Sequence, residues 1–498
     1  MPTSLFQYEM LPTTWFYLSS IMILATFFRF NRFFSVRNFD IIGLIAFTPG
    51  LLFISMGEKE TGFAWLYAIG VIFVFRLLAD SFMIRRPLLE PNLAMSGLVF
   101  SNVMLIMFFV PNLLINRGDR VETPRTIRLE QLMAARGFAD LQAGKSDPIL
   151  ENPGYRPFFH LSRCIEEVLL PCENIRNQID ALLPRSQFPA QTASFNPLDV
   201  TLVSDFYEGE IIAKYGASAE FSDSETGRFP HGSRRSVDEI NRERQAEYNA
   251  EEEIPRLDEF FLILFILLAQ FGTVWGLVAV GHCHFGNLKT GLAAAMVYLL
   301  LPYVNQMPGS LENVLPGTLL VLALAIYRRP MFSGFLIGMA GSLVFYPFFL
   351  IPLWISFYLK RGLRRFVIGT VSAVLLMGIL LMFSPSDYGT YAEQLAAMFG
   401  WHSMFLITPT GFWGFVSTYY RIPVIALFMV TAFGLGLWPP QKNLATLISG
   451  SALLMLFVQF WMGNLGGLYM GWYLPLLLLT LFRPNLEDRV AQTTVVEI

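Results

Sequence analysis

Long apolar runs alternate with short polar turns over most of the chain, and this pattern predicts membrane-spanning helices. Four runs come first, at about residues 15–28, 41–56, 63–83 and 93–115. The pattern then breaks for about 140 residues and resumes with nine runs, at about 260–280, 291–303, 314–327, 332–345, 347–358, 366–383, 422–438, 444–461 and 465–482. The sequence therefore predicts an all-α polytopic membrane protein with about 13 transmembrane segments.

The stretch from 332 to 358 allows two interpretations. One long tilted helix would place Arg328 and Arg361 on opposite sides of the membrane, whereas two short helices broken at Tyr346-Pro347 would place both on one side. Pro347 and Pro352 favour the broken pair, because a proline removes a backbone donor and clashes with the preceding turn.

Basic residues in the short loops predict the orientation, since such residues favour the cytoplasmic side. With the broken pair, all seven basic clusters fall on one side: Arg29/Arg32/Arg37, Arg85/Arg86, Lys289, Arg328/Arg329, Lys360/Arg361/Arg364/Arg365, Lys442 and Arg483. This orientation predicts an extracytoplasmic N-terminus and 116–256 segment, and a cytoplasmic C-terminus. The N-terminus lacks a positive n-region and a small-residue cleavage site, so no removable signal peptide is expected.

Composition supports the membrane class. Hydrophobic residues make up 54% of the 498 residues and charged residues only 15%, with a mean hydropathy of +0.50. These values exclude an ordinary soluble globular chain of this length. No basic tail or stripe indicates nucleic-acid binding, so the bilayer itself is the first partner expected.

The long segment between the two sets of apolar runs differs in charge. Residues 116–256 carry 17 Lys and Arg against 24 Asp and Glu. The pattern at 162–183 predicts an amphipathic helix that lies on the membrane surface or on the helix bundle. Residues 196–218 are predicted to form a second ordered part, and 222–253 a mobile charged tether. The predicted organisation is a three-helix membrane segment (1–92), a first core helix (93–115), an extracytoplasmic domain (116–256), a transmembrane bundle (257–484) and a cytoplasmic tail (485–498).

The three cysteines indicate neither a disulfide nor a metal site. Cys164 and Cys172 are eight residues apart, about 12 Å on a continuous helix and too far for a disulfide, which favours free thiols over a bridge. Cys283 lies in His282-Cys283-His284, where adjacent ligands converge poorly on one ion, so we assign no metal ligands.

One region resembles a known family. An outer loop, Gly309-Ser310-Leu311-Glu312-Asn313, precedes an apolar helix, a basic turn (Arg328-Arg329-Pro330), a glycine-rich helix with Gly334 and Gly338, and then Phe345-Tyr346-Pro347. This order resembles the GT-C superfamily of membrane glycosyltransferases, nearest to the GPI mannosyltransferase I group and bacterial polyprenyl-phosphate-mannose-dependent mannosyltransferases. The resemblance covers about 75 of the 498 residues.

The resemblance implies a GT-C-like helix bundle and an inverting transfer of a hexose, such as mannose, from a polyprenyl-phosphate donor to a lipid-linked or exported acceptor. An outer-face carboxylate would act as the base. The chain departs from the family at Phe345, where many relatives carry lysine, and in lacking a clear Asp-x-Asp in the first outer loop. Asp205 and Asp119 are then the candidates for the catalytic base, each with an ordinary solvated loop acid as the alternative.

Substrate-binding candidates follow from chemistry and position. Glu312 would orient a sugar hydroxyl or a divalent cation, or else stabilise a helix N-terminus. Arg421 would bind the phosphate, or else extend to the membrane surface. The predicted outer loop at 384–414 supplies three more candidates, Asp387, Trp401 and His402. The alternative interpretation of this loop is an aromatic belt at the membrane interface.

Two further pairs are predicted to be structural. Arg76 and Asp80 are one turn apart on one helix face, and Gly334 and Gly338 form a G-x-x-x-G pattern typical of close helix packing. Two other functional classes stay open beside the enzyme. One is a transporter or flippase of lipid-linked substrates, and the other is a non-catalytic membrane scaffold.

Overall fold

The computed structural model describes residues 12–80, 89–114, 155, 256–306, 311–359, 361–382, 391–400, 411–439, 442–463 and 465–484. Within these ranges the chain is helical and contains no strand. The helices are α1 Pro12–Phe27, α2 Val36–Ser55, α3 Lys59–Ala79, α4 Met95–Leu114, α5 Arg256–Cys283, α6 Leu288–Leu300, α7 Pro302–Gln306, α8 Leu311–Ala325, α9 Pro330–Leu343, α10 Ile351–Tyr358, α11 Leu363–Met382, α12 Tyr391–Met398, α13 Phe412–Phe415, α14 Arg421–Leu437, α15 Leu444–Trp461 and α16 Leu474–Phe482.

The helices have the length and composition of membrane spans. Six are long and apolar enough to cross a bilayer, at Val36–Ser55, Lys59–Ala79, Phe260–Cys283, Leu363–Met382, Thr418–Leu437 and Leu444–Trp461. Shorter apolar helices of 10–17 residues accompany them in the described part of the chain. The predicted all-helical class with helices that could span a membrane is confirmed, while the count of about 13 spans stays a prediction.

The chain reverses where the proline pair predicted a break. Helix α9 ends at Leu343, a 3-10 helix covers Tyr346–Leu350, and α10 then returns with Pro352 in its first turn. The hydroxyl of Tyr358, at the end of α10, donates to the carbonyl oxygen of Tyr327, just before α9 begins. The two short helices therefore run in opposite directions.

Helices α9 and α11 pack through the predicted glycine pattern. A Cβ on Gly334 would lie 2.2 Å from the carbonyl oxygen of Phe366, and one on Gly338 would lie 2.5 Å from that of Thr370. A Cβ on Gly369 would in turn lie 1.9 Å from the carbonyl oxygen of Met331. Gly334 and Gly338 of α9 meet Phe366 and Thr370 of α11 in the same order along the two helices, so α9 and α11 are parallel. Only glycine permits so close an approach.

Helix α15 is the centre of the bundle. It is apolar on all sides, and 94% of it is buried, as expected for a helix surrounded by others. Helix α14, by contrast, is part of a span only 17% buried, and its exposed face carries Ile422, Leu427, Val430 and Phe433. An apolar exposed face of this kind suits contact with lipid.

Basic residues gather at one end of the bundle, which we call the basic end. Phe27 and Phe482 meet there edge to face at 5.5 Å, beside the ion pair of Arg483 with Asp80. Lys442 donates to Ser356 Oγ at 2.7 Å, and Tyr358 reaches Tyr327. Helix α15 begins beside Lys442 and leads away from it, and α16 runs back and ends beside Arg483. The contacts of Lys442 and those of Arg483 therefore lie at the same end of the bundle. Which side of the membrane this end faces stays a prediction.

Candidate functional site

Four aromatic side chains form a cluster at the end of the bundle opposite the basic end. The Tyr346 ring lies 5.4 Å from that of Trp461 and 5.5 Å from that of Trp472. Tyr469 extends the group, with its ring 4.5 Å from that of Trp472. We call these four residues the aromatic cluster. It brings together the Tyr346-Pro347 turn, the end of α15 and the 3-10 helix Met470–Trp472.

Arg421 lies on one side of the aromatic cluster. It is the first residue of α14, only 5% exposed, and its Nε donates to the carbonyl oxygen of Trp461. A Cβ on Gly463 would lie 3.0 and 3.1 Å from its two terminal nitrogens, so the glycine makes room for the guanidinium. Tyr346 and Tyr67 interact with it electrostatically. The Arg421 guanidinium is therefore buried against the end of α15 and not extended into solvent.

The guanidinium of Arg421 lacks an acidic partner within the described ranges. No carboxylate there forms an ion pair with it, and its terminal nitrogens donate no hydrogen bond to a described residue. Burial of a charge is unfavourable unless the charge is compensated. An anionic ligand at this position would supply the compensation, and a guanidinium favours the two oxygens of a phosphate.

Glu312 lies on the other side of the aromatic cluster. It is in the first turn of α8 and only 7% exposed, and its carbonyl oxygen accepts a hydrogen bond of 2.8 Å from Trp472 Nε1. The contact depends on glycine, because a Cβ on Gly317 would lie 2.0 Å from the carbonyl oxygen of Gly471. The helix begins at Leu311, two residues before the predicted start, so Glu312 lies in its first turn, where a carboxylate is favoured, and its side chain is buried.

Two phenols accompany Glu312. Tyr303 is 4% exposed, and Tyr155, from the long segment between α4 and α5, is 3% exposed. The Tyr155 hydroxyl has no hydrogen-bond partner among the described residues. Burial raises the pKa of Tyr155 well above its ordinary value, and the charges of Glu312 and Tyr469 add to the rise. Tyr155 therefore places one residue of the long segment beside the predicted substrate-binding carboxylate.

The structure brings two of the predicted site residues to the same cluster. Glu312 reaches it through Trp472 and Arg421 through Trp461, and the ring of Tyr346 lies between the two tryptophans. Five other predicted residues lie outside the described residues: Asp119, Asp205, Asp387, Trp401 and His402.

Sequence reasoning missed Trp461, Trp472 and Tyr155. The two tryptophans flank the short link between α15 and α16, and that position at two adjacent helix ends was the available signal. Tyr155 has no comparable signal, because nothing in its neighbourhood distinguishes it from the other aromatic residues of the long segment.

Neighbouring residues of the His282-Cys283-His284 sequence differ in burial. Cys283 is exposed, whereas His284 is buried with its Nε2 2.7 Å from the carbonyl oxygen of Ala325 and its ring 4.7 Å from that of Tyr327. Among the described residues, no group of three or more His, Cys, Asp or Glu could hold a metal ion.

No protein-family model, curated protein or solved structure matches this chain. The residues of the aromatic cluster, with Arg421 and Glu312, are therefore the basis for any functional assignment.

Proposed function

We propose that this chain is a membrane glycosyltransferase that moves a hexose, such as mannose, from a polyprenyl-phosphate donor to a lipid-linked or exported acceptor with inversion. The observation that carries the proposal is the buried Arg421 guanidinium, which has no carboxylate partner in the described ranges and lies against an aromatic cluster with Glu312 beyond it. The resemblance to the GT-C superfamily supports the same reaction class.

Each group has a role suited to its chemistry. Arg421 would bind the donor phosphate and stabilise the charge that develops as it leaves. The rings of Tyr346, Trp461 and Trp472 offer flat apolar surface of the kind on which a sugar ring packs. Glu312 would accept hydrogen bonds from sugar hydroxyls, because a carboxylate is an acceptor with several lone pairs.

The reaction balances without a further reactant. The acceptor hydroxyl oxygen attacks the anomeric carbon and forms the new glycosidic bond, while the bond from that carbon to the phosphate oxygen breaks. Its electron pair leaves on the phosphate, and the hydroxyl proton passes to a carboxylate acting as general base. Asp205 and Asp119 remain the candidates for this base, and a divalent cation remains open.

The position of Arg421 also bears on the difference between this chain and the GT-C family at Phe345. Phe345 packs against Gly400, where an added Cβ would lie 2.4 Å from the ring, so this side chain serves packing. The next residue, Tyr346, interacts with Arg421. We propose that Arg421 supplies from α14 the positive charge that relatives carry on the lysine before Tyr-Pro.

The test is sugar transfer from radiolabelled polyprenyl-phosphate mannose and glucose by membranes that contain the full chain. Arg421→Gln should abolish transfer and Arg421→Lys should leave a small fraction, because lysine keeps the charge but not the bidentate geometry. Glu312→Gln should reduce transfer, and either Asp205→Asn or Asp119→Asn should abolish it. Arg364→Gln, an exposed arginine at the basic end, is the control and should be normal.

A second measurement separates donor binding from turnover. Sugar-free polyprenyl phosphate should raise the thermal midpoint of purified wild type but not of Arg421→Gln. Binding without transfer from any common donor, in folded protein with native acceptor lipids, would contradict the enzyme.

The alternative is a transporter or flippase, and one observation favours it. Asp40, Asp80 and Arg483 are buried together with the largely buried Arg76 where α2, α3 and α16 meet at the basic end, and buried ionisable groups among membrane helices often mark transport pathways. Movement of labelled polyprenyl-phosphate sugar across proteoliposomes, lost in Asp80→Asn and kept in Arg421→Gln, would support transport over transfer.

A further inference from the structure

The turn between α1 and α2 exposes an unusual set of side chains. Phe30 is 78% exposed, Phe33 56% and Phe34 87%, and the neighbouring Arg29 and Arg32 are exposed as well. We call residues 28–34 the aromatic–arginine turn. Three exposed phenylalanines within five residues are unfavourable against water, so this surface calls for a covering partner.

The buried side chain of Asn38 holds the turn in a fixed conformation. Asn38 is 0% exposed, and its side chain accepts from the Arg29 amide at 3.1 Å. Its Nδ2 donates to the carbonyl oxygens of Arg29, Arg32 and Phe33 at 2.9, 3.0 and 3.2 Å. Because these bonds satisfy the backbone of the turn, its side chains are presented rather than free to fold back.

Ring contacts and Arg37 strengthen the arrangement. Phe28 meets Phe30 edge to face at 5.0 Å and Phe33 at 5.5 Å, and Phe33 meets Phe34 at 5.3 Å. The buried Arg37 guanidinium donates to the carbonyl oxygen of Phe27 at 3.2 and 2.8 Å, closing the base of the turn. A surface fixed in this way loses little conformational entropy when it is covered.

The charge of the turn is positive. Residues 28–39 contain three arginines and no acidic residue. Arg29 lies 3.6 Å from Glu90, but both side chains are at least half exposed, so the pair is weak. Arg32 forms no ion pair with any described residue. Arg29 and Arg32 are therefore available to an anionic partner.

The position of the turn identifies the partner. It joins the ends of two apolar helices at the basic end, where Phe27 contacts Phe482. Apolar rings flanked by arginines at the end of membrane helices match the boundary between acyl chains and phosphate headgroups. We propose that the aromatic–arginine turn docks in the bilayer surface, with Phe30, Phe33 and Phe34 in the acyl boundary and Arg29 and Arg32 bound to the phosphates of anionic phospholipids.

The test uses the full chain purified in an uncharged detergent. Phosphatidylglycerol should raise the thermal midpoint of the wild type by several degrees more than phosphatidylcholine with the same acyl chains, and the difference should shrink as salt is raised. Arg29→Gln/Arg32→Gln should lose the difference. Arg29→Lys/Arg32→Lys should keep most of it, because lysine also binds phosphate.

Two further variants make the test specific to the turn. Arg328→Gln/Arg329→Gln removes the same charge from another exposed turn at the basic end and should keep the difference. Phe30→Ala/Phe34→Ala should reduce stabilisation by both lipids. Equal stabilisation of the wild type by the two lipids would overturn the proposal. The proposal would also be overturned if both Arg→Gln double variants lost the difference between the lipids to the same extent, because that would indicate a general attraction of anionic lipid to the basic end.

Discussion

Arg483 donates from Nη2 to Oδ2 of Asp80, a residue 403 positions earlier in the chain, and so ties the end of α16 to the end of α3. Asp80 also faces Arg76 at 3.3 Å, and Arg76 in turn holds Asp40 with two bonds of 2.8 and 2.9 Å. The four groups form a continuous ion network between α2, α3 and α16. It fastens the N-terminal helices to the bundle.

Breaking this network should destabilise the protein strongly. Arg483→Gln leaves Asp80 buried with only part of its charge compensated, and the expected loss is about 3 kcal/mol. Thermal unfolding in detergent measures it, with the exposed Arg364→Gln as the control. The double variant Asp80→Asn/Arg483→Gln should lose less than the sum of the single variants, and strict additivity would contradict the pair.

The contact of α8 with the 3-10 helix Met470–Trp472 should tolerate no added methyl group. Gly317→Ala places a Cβ about 2.0 Å from a carbonyl oxygen, so we expect a loss of about 1–3 kcal/mol or more. Gly434→Ala is the matched control, because a Cβ there meets nothing within 4 Å. That variant should be neutral or up to about 1 kcal/mol more stable. Equal midpoints for the two variants in a thermal scan would refute the close contact.

The two tryptophans of the aromatic cluster differ in one hydrogen bond. Trp472 Nε1 donates to Glu312, whereas Trp461 Nε1 has no partner among the described residues. Trp472→Phe should therefore cost about 1 kcal/mol more than Trp461→Phe, although both remove similar volume. It should also weaken stabilisation by the sugar-bearing donor, since Glu312 would lose its fixed position. Chemical or thermal unfolding of both variants, with and without donor, makes the comparison.

His284 should make stability depend on pH. Burial lowers its pKa below the ordinary 6.5, the hydrogen bond to Ala325 opposes this, and the charge of Arg328 lowers it further. The unfolded state therefore binds the proton more readily, so the contribution of His284 is present above pH 6.5 and is lost as the pH falls through the folded pKa. The thermal midpoint of the wild type should fall between pH 7 and 5 more than that of His284→Gln. His282→Gln, at an exposed histidine, should behave as the wild type does.

Local chemistry predicted the features that depend on neighbouring residues. The reversal at Tyr346-Pro347 follows from two prolines, and the close packing of α9 follows from Gly334 and Gly338. The pairing of Arg76 with Asp80 follows from helical spacing. Each is a property of a short stretch, so the sequence alone was sufficient.

Long-range partners were beyond such reasoning. Nothing near Arg76 indicates Asp40, and nothing near Asp80 indicates Arg483, because these contacts exist only when α2, α3 and α16 are packed. The burial of Glu312 and Arg421 likewise depends on Trp472 and Trp461, which come from other parts of the chain. The sequence identified the two charged residues as candidates, but not the aromatic cluster between them.

The bond between Asp80 and Arg483 also has a consequence for biosynthesis. A ribosome that adds about 5–20 residues per second needs about 20–80 seconds to cover the 403 residues between them. During that interval the ion pair of Asp80 with Arg76, on its own helix, can form, whereas the pair with Arg483 cannot. The ion pair that ties α3 to α16 can therefore form only after the last helix has been made, and a chain that ends before α16 leaves Asp80 without this partner.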